Sequence, residues 1–209
     1  MENNKRVIEE LVGEDYLKKN YWISGLLIVA LLTIVGCGGL LGEKAIPLTE
    51  LTLGNFGSKL TIKVPFAFTR DTLDLPVDSR SFIAKHEFYS GNNKAIGISI
   101  TNALYKNPTD SPDWKPSLEG AADGSVMNVS NSTGVRNFTS GMESLTVSGI
   151  PARIATMQYT NSNDAKVEHK AFVLMDNNII WAVSIIYKQE DESSRNLAKQ
   201  IIQSMAITK

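Results

Sequence analysis

Residues 166–188, KVEHKAFVLMDNNIIWAVSIIYK, hold two strand patterns separated by a turn, and they decide the fold. In residues 167–175 every second position faces the same way, and most of these positions are apolar. In residues 179–187 both sets of alternate positions are apolar, with the single exception of Ser184. Alternation with a period of two predicts a strand, and a strand that is apolar on both faces predicts a covered position inside a sheet. Residues 176–178, Asp-Asn-Asn, favour a tight turn, so we expect an antiparallel hairpin with its second strand central to the sheet.

Six further segments upstream show strand patterns, with Gly, Pro, Asn and Asp between them. They are residues 51–53, 60–66, 82–88, 95–105, 138–148 and 151–160. The last two precede the hairpin with only short turns between, so we expect four strands in meander order over residues 138–188.

Two segments show helical patterns instead. Ser117 is a typical N-cap for a helix that ends near Val129. A second helix begins near Asp191 or Ser193, and its apolar side chains recur at helical spacing. That apolar stripe consists of Leu197, Ala198, Ile201, Ile202 and Met205. The order of elements predicts an α+β fold, a twisted antiparallel sheet covered by helices in an α/β/α sandwich, with the last helix across the central strand.

Length and charge restrict the class of protein. The 209 residues divide into a membrane-directed segment (1–42), a tether with a short first strand (43–58) and one domain (59–209). Residues 1–42 carry four basic and five acidic side chains, which leaves seventeen of each in the remainder. An electrically neutral domain has no attraction for a phosphate backbone, so we expect no nucleic-acid partner.

A long uncharged stretch covers residues 21–42, YWISGLLIVALLTIVGCGGLLG, and includes the single cysteine, Cys37. Its apolar part favours insertion into a membrane, since each buried CH₂ gains about 0.8 kcal/mol. Ile34, Val35 and Gly36 precede Cys37 and resemble a bacterial lipobox, which implies a lipidated cysteine at the mature N-terminus. We therefore expect a palmitate-bearing lipid anchor, with the domain outside the cell membrane and a protein partner at the cell surface.

The first twenty residues leave a second interpretation open. Signal peptides usually begin with a short basic region, but five acidic residues precede this apolar run. Residues 1–19 also show helical spacing, which fits a cytoplasmic helix followed by an uncleaved transmembrane helix of about 22 residues. Alternatively, translation begins at Leu17, and Lys18 and Lys19 supply the basic region of a signal peptide. In each case Lys18 and Lys19 stay inside and the domain lies outside.

Candidate catalytic residues are few. His86 and His169 each lie on a predicted strand, without a second His or a Cys at zinc-ligand spacing. Nucleophile-elbow, P-loop and dinucleotide-binding patterns are missing from the sequence. We therefore expect no metal, no cofactor and no enzymatic activity. The alternative is a hydrolase-like enzyme that uses His86 or His169.

Aromatic residues are the better candidates for function. Phe66 and Phe68 follow a predicted strand, and Trp114 lies in a turn-rich segment. Because aromatic side chains supply much of the binding energy at protein interfaces, we expect these three residues to edge a partner-binding surface.

Three motifs resemble the PsbP/DcrB-like family, which includes an extrinsic photosystem II subunit and small bacterial lipoproteins. They are Lys-Leu-Thr-Ile-Lys-Val-Pro-Phe at 59–66, Gly-Ile-Pro-Ala-Arg-Ile at 149–154, and the C-terminal strands and helix up to Ile-Gln-Ser-Met-Ala-Ile at 202–207. The resemblance covers about residues 50–207. Many relatives have a Trp soon after the first Pro, whereas this chain has Phe66 and Phe68. The resemblance implies the sandwich fold and an accessory, non-enzymatic role.

Overall fold

The structure, a computed structural model, describes residues 46–72, 75, 77–107 and 113–209, without the side chains of residues 77 and 78. Its strands are β1 (Thr49–Leu53), β2 (Lys59–Val64), β3 (Thr69–Asp71), β4 (Ile83–Asn92), β5 (Ile96–Tyr105), β6 (Arg136–Val147), β7 (Ile150–Thr160), β8 (Lys166–Asp176), β9 (Ile179–Lys188) and β10 (Ala206–Thr208). Its helices are α1 (Val77–Arg80), α2 (Leu118–Ser130) and α3 (Glu192–Gln203). Within these ranges, no helix is long and apolar enough to cross a membrane. The apolar run and Cys37 lie outside the described residues.

A seven-stranded antiparallel sheet forms the centre of the fold, in the order β3-β4-β5-β9-β8-β7-β6. Strands β8 and β9 form the predicted hairpin, with Val173 opposite Ala182. Strand β9 is fourth of seven, so its predicted central position is confirmed. Strands β6 to β9 follow the predicted meander.

The two faces of this sheet are covered differently, and we name each by one buried side chain. The Trp181 face packs against α3 and against a second sheet, in which β2 lies between β1 and β10. The His169 face packs against α2, which lies over β7 and β8. Both faces of β9 are therefore buried, as its double apolar pattern predicted.

The helices begin where their caps are. The Ser117 hydroxyl accepts a hydrogen bond from the Gly120 amide at 3.2 Å, and α2 starts at the next residue. The Asp191 carboxylate accepts from the Ser194 amide at 3.0 Å and starts α3 in the same way. Each cap satisfies an N–H that the first turn of a helix leaves without a partner.

The sandwich prediction was incomplete in one layer, because the three-stranded sheet shares the Trp181 face with α3. Strands β3 and β10 and helix α1 were not predicted. Each has only three or four residues, too few to show a period. Strand β10 pairs with β2 from the other end of the chain, with Ile207 opposite Leu60. Only the folded chain brings these two strands together.

Candidate functional site

The two histidines lie on the same face of the sheet but far apart. His86 on β4 is half-buried, and its register partner on β5 is Ala103. His169 on β8 is buried, and its partner on β9 is Ile186. Three strand spacings and six residues of strand rise separate them, which corresponds to roughly 25 Å. They cannot act on one substrate atom.

His169 is paired with a serine in the interior of the protein. Its Nε2 lies 2.5 Å from the Ser184 hydroxyl, and its buried Nδ1 has no hydrogen-bond partner among the described residues. Both residues are 1% exposed. A Ser–His pair is catalytic only if a substrate reaches the hydroxyl and a third group orients the imidazole. Within the described part of the chain, His169 and Ser184 meet neither requirement, so this pair fits a role in the interior of the fold.

We expect His169 to make the protein acid-sensitive. Burial lowers the pKa of His169 to about 3, below the ordinary value of 6.5 in the unfolded chain. Between these values protons bind only the unfolded state, so stability is complete above pH 6.5 and is lost as the pH falls. The slope is about 1.4 kcal/mol per pH unit, or about 2 kcal/mol between pH 6.5 and 5. Urea unfolding at both pH values measures this loss.

The variant His169→Gln should remove most of that pH dependence, because glutamine does not titrate. His86→Gln is the matched control, since it removes a half-buried histidine from the same face and keeps His169. A loss of stability between pH 6.5 and 5 that is equal in both variants contradicts the assignment to His169.

A buried carboxylate network lies on the opposite face, beside the first turn of α3. Glu168 is 4% exposed and accepts hydrogen bonds from the Tyr187 hydroxyl and, at 3.1 Å, from Gln158 Nε2. Lys170 Nζ lies 3.3 Å from the Glu168 carboxylate, and Arg195 Nε lies 3.8 Å away. Burial alone raises the pKa of Glu168, but these hydrogen bonds and the Lys170 charge outweigh it and lower that pKa. The protein donors on its oxygens come from β7, β8 and β9, so Glu168 links three neighbouring strands, and Arg195 of α3 adds a partly exposed ion pair.

Phe66 and Phe68 form an aromatic pair at the edge of the Trp181 face. Their ring centroids are 5.8 Å apart and the ring planes are inclined by 28°, a stacked arrangement. The Phe66 ring lies over Gly91 of β4, where a larger residue does not fit, because a Cβ at this position would lie 2.8 Å from the ring. Both rings are half-buried against the core. Part of each ring therefore faces solvent beside β4.

Trp114 lies elsewhere. Its ring contacts Phe82 edge-on, at a centroid distance of 4.8 Å, and Tyr105 at 5.9 Å. This aromatic group packs on the His169 face, among the side chains of β5 and α2. Phe66 and Phe68 pack on the Trp181 face, so the structure does not bring the three predicted partner-binding residues onto one surface.

Strand β6 presents the longer open edge of the large sheet. It has twelve residues and, among the described strands, pairs only with β7, whereas β3 at the opposite edge has three residues. No residue of β6 is buried, and exposed residues lie on both faces of the sheet. An edge strand carries unpaired N–H and C=O groups and accepts another strand unless it is short, bulged, covered, or carries charges or Pro. The register of β6 is irregular only at its start, between Arg136 and Thr139. Residues 137–147 contain neither Lys nor Pro, and Glu143 is their single charge.

The remaining predicted site residues, Cys37 with Ile34, Val35 and Gly36, fall outside the described part of the chain. Among the described residues, no group of three or more His, Cys, Asp or Glu side chains is placed to hold a metal ion.

Among the buried polar residues, Glu87, Asn102 and Glu168 were not predicted as site residues. Glu87 follows His86 and Glu168 precedes His169. Each glutamate points to the face opposite its histidine, as adjacent strand residues do. Glu168 could have been recognised from the sequence, because it is a charged residue within a strand that is covered on both faces. A charge in such a position has to find partners in the interior.

Comparison with known proteins gives structural matches only. No family model and no curated protein matches the chain. A structure of cyanobacterial PsbP from Synechocystis sp. PCC 6803 matches over 82% of this chain and 98% of its own, at 10% identity and a TM-score of 0.49. PsbP is the family that the sequence motifs resemble.

Two other solved structures are similar over comparable lengths. LpqN of Mycobacterium tuberculosis, described as involved in cell envelope biogenesis, matches over 78% of this chain and 92% of its own, at 12% identity and a TM-score of 0.44. The Ran-binding protein Mog1p of Saccharomyces cerevisiae matches over 77% of this chain and 95% of its own, at 13% identity and a TM-score of 0.44.

Proposed function

We propose that this chain is an extracytoplasmic lipoprotein, anchored to the cell membrane through Cys37, whose domain binds a protein partner and catalyses no reaction. The proposal rests on one observation, the uncharged run at residues 21–42. The most apolar part of this run ends at Ile34-Val35-Gly36-Cys37. An anchor followed by one domain without a catalytic centre among its described residues suits an accessory protein.

The histidines support the non-enzymatic part of the proposal. An enzyme that uses either one needs it to converge with a carboxylate or a nucleophile in a cleft. His169 has Ser184 beside it, in the interior, and His86 lies roughly 25 Å away by strand spacing. This arrangement weighs against a hydrolase that uses His169, or that uses the two histidines together.

We expect Cys37 to carry a diacylglyceryl thioether and an amide-linked acyl chain. In a bacterial host grown with radiolabelled palmitate, the full chain should take up label and begin at Cys37 by mass spectrometry. Two or more acyl chains hold a protein stably on a membrane, whereas one binds only marginally. Cys37→Ser should abolish the label and leave residues 1–36 attached.

Globomycin, which blocks the lipoprotein signal peptidase, is the matched chemical control and should leave residues 1–36 attached to a labelled chain. An unlabelled wild-type chain with an intact N-terminus instead supports the single-pass alternative, a cytoplasmic N-terminal helix followed by an uncleaved span. The observation in favour of this alternative is the set of acidic residues before the apolar run, which a signal peptide usually lacks.

The outer edge of β6 is the surface best suited to the protein partner. Its unpaired backbone groups offer hydrogen bonds to an extended segment of another chain, a recurrent mode of recognition. Side chains on both faces of β6 then flank the added strand. Strand addition is therefore the binding mode that we assign to the partner, with Phe66, Phe68 and Trp114 as separate, secondary contacts.

Photo-crosslinking in native membranes tests this mode. A photoreactive side chain at Glu143 and another at Ser144 lie on opposite faces of β6, and both should capture the same partner peptide. Lys199, exposed on α3, is the matched control position and should not capture it. Capture from one face of β6 only, or equally from Lys199, contradicts strand addition.

A further inference from the structure

Two buried polar side chains on the Trp181 face have atoms without hydrogen-bond partners in the described part of the chain. Asn102 of β5 is 0% exposed, and both its amide oxygen and its amide nitrogen are unpaired. Glu87 of β4 is 3% exposed, and its Oε2 is unpaired. Their Cα atoms are register partners, which brings directly opposed Cβ atoms to about 5 Å. The three unpaired atoms therefore belong to one place in the fold.

The surrounding side chains fix this place without satisfying it. Glu87 Oε1 accepts hydrogen bonds from Arg70 Nη2 and from Asn55 Nδ2, each at 2.9 Å. Trp181, the register partner of Asn102 on β9, donates its indole N–H to Ser58 at 3.2 Å. The donors of Asn55 in the β1–β2 loop and Arg70 in β3 are thus used on the other oxygen of Glu87, and the Trp181 indole N–H of β9 is used on Ser58.

Native proteins seldom leave buried amide and carboxylate atoms unpaired, because such atoms lose their hydrogen bonds to water without gaining new ones. The unpaired set here consists of two acceptors, Glu87 Oε2 and Asn102 Oδ1, and one donor group, Asn102 Nδ2. A water molecule has the complementary set. It closes a ring with a primary amide by donating to the oxygen and accepting from the nitrogen, and its second O–H points away from that ring.

We propose that Glu87 and Asn102 form a binding site for one ordered water molecule between β4 and β5. The water donates to Asn102 Oδ1 and to Glu87 Oε2 and accepts from Asn102 Nδ2. Three hydrogen bonds are the number that a buried water typically makes in a protein. The water thereby fixes the Glu87 carboxylate, whose other oxygen holds Asn55 of the β1–β2 loop and Arg70 of β3.

Nuclear magnetic resonance on the full ¹⁵N-labelled chain in detergent micelles tests the site. The side-chain NH₂ protons of Asn102 should show cross-relaxation with water of the sign that a long-lived bound molecule produces. The exposed Asn163 is the control and should show only the fast-exchange signal. Glu87→Gln, whose amide oxygen still accepts, should keep the Asn102 signal, and Glu87→Leu should lose it.

The wild-type measurement alone decides the proposal, so a Glu87→Leu chain that fails to fold does not remove the test. An Asn102 amide without long-lived water cross-relaxation overturns it. A crystal structure in which the Asn102 amide bonds directly to the Glu87 carboxylate overturns it as well.

Discussion

Trp181→Ala should lower the free energy of unfolding by about 3–5 kcal/mol, the range found for aromatic truncations in well-packed cores. The Trp181 side chain is fully buried, and its ring packs so closely under Gly54 that a Cβ on that glycine would lie 2.6 Å from it. The change also removes the hydrogen bond that the indole N–H donates to the Ser58 hydroxyl. Urea unfolding of a fragment that begins at Glu43 measures the loss.

The result matters because whole domains are stable by only about 5–15 kcal/mol. Trp114→Ala is the matched control. Trp114 is half-buried and packs on the other face, so its truncation should cost about 1–2 kcal/mol, close to the average of single substitutions. Equal losses for the two tryptophans contradict the central role that the fold assigns to Trp181.

Ile201→Ala should lower the free energy of unfolding by about 2–5 kcal/mol. Ile201 is 0% exposed, on the side of α3 that faces β2 and β9, within the same core cluster as Trp181. The cavity lies between three elements that are far apart in sequence, so the surrounding structure closes it only partly. The same urea titration gives the value.

Ile202→Ala is the matched control, since the next residue of the same helix is only half-buried and should cost clearly less. A second check removes residues 190–209, which deletes α3 together with β10. If thermal unfolding stayed unchanged after that deletion, α3 would be peripheral and its assigned packing wrong.

Much of the large sheet could be predicted because its strands are long. Strand β9 has ten residues, all apolar except Ser184 and Lys188, and β8 has eleven with a clear alternation. Such patterns depend only on the two-residue period of a strand and the need to bury apolar side chains. The helices were predicted for a similar reason, since Ser117 and Asp191 cap them within a few residues of sequence.

The polar interior was much harder to predict. His169 and Glu168 are neighbours in the sequence, yet one pairs with Ser184 under α2 and the other with Tyr187 beside α3. Their partners depend on strand register, and a shift of one residue exchanges the two faces. The separation of Trp114 from Phe66 and Phe68 likewise follows from the face that each segment covers.

The sequence by itself determined the α+β class, the meander over residues 138–188 and the central position of β9, and the membrane-directed run at residues 21–42 stays a prediction. These features arise from local periodicity, local capping and the avoidance of water by uncharged stretches. Tertiary structure alone decided the three-stranded sheet, the placement of Asn102 opposite Glu87, and the open edge of β6. Each of these depends on which distant segments meet, because a hydrogen-bond ladder or a buried polar pair is completed by residues that no local pattern identifies.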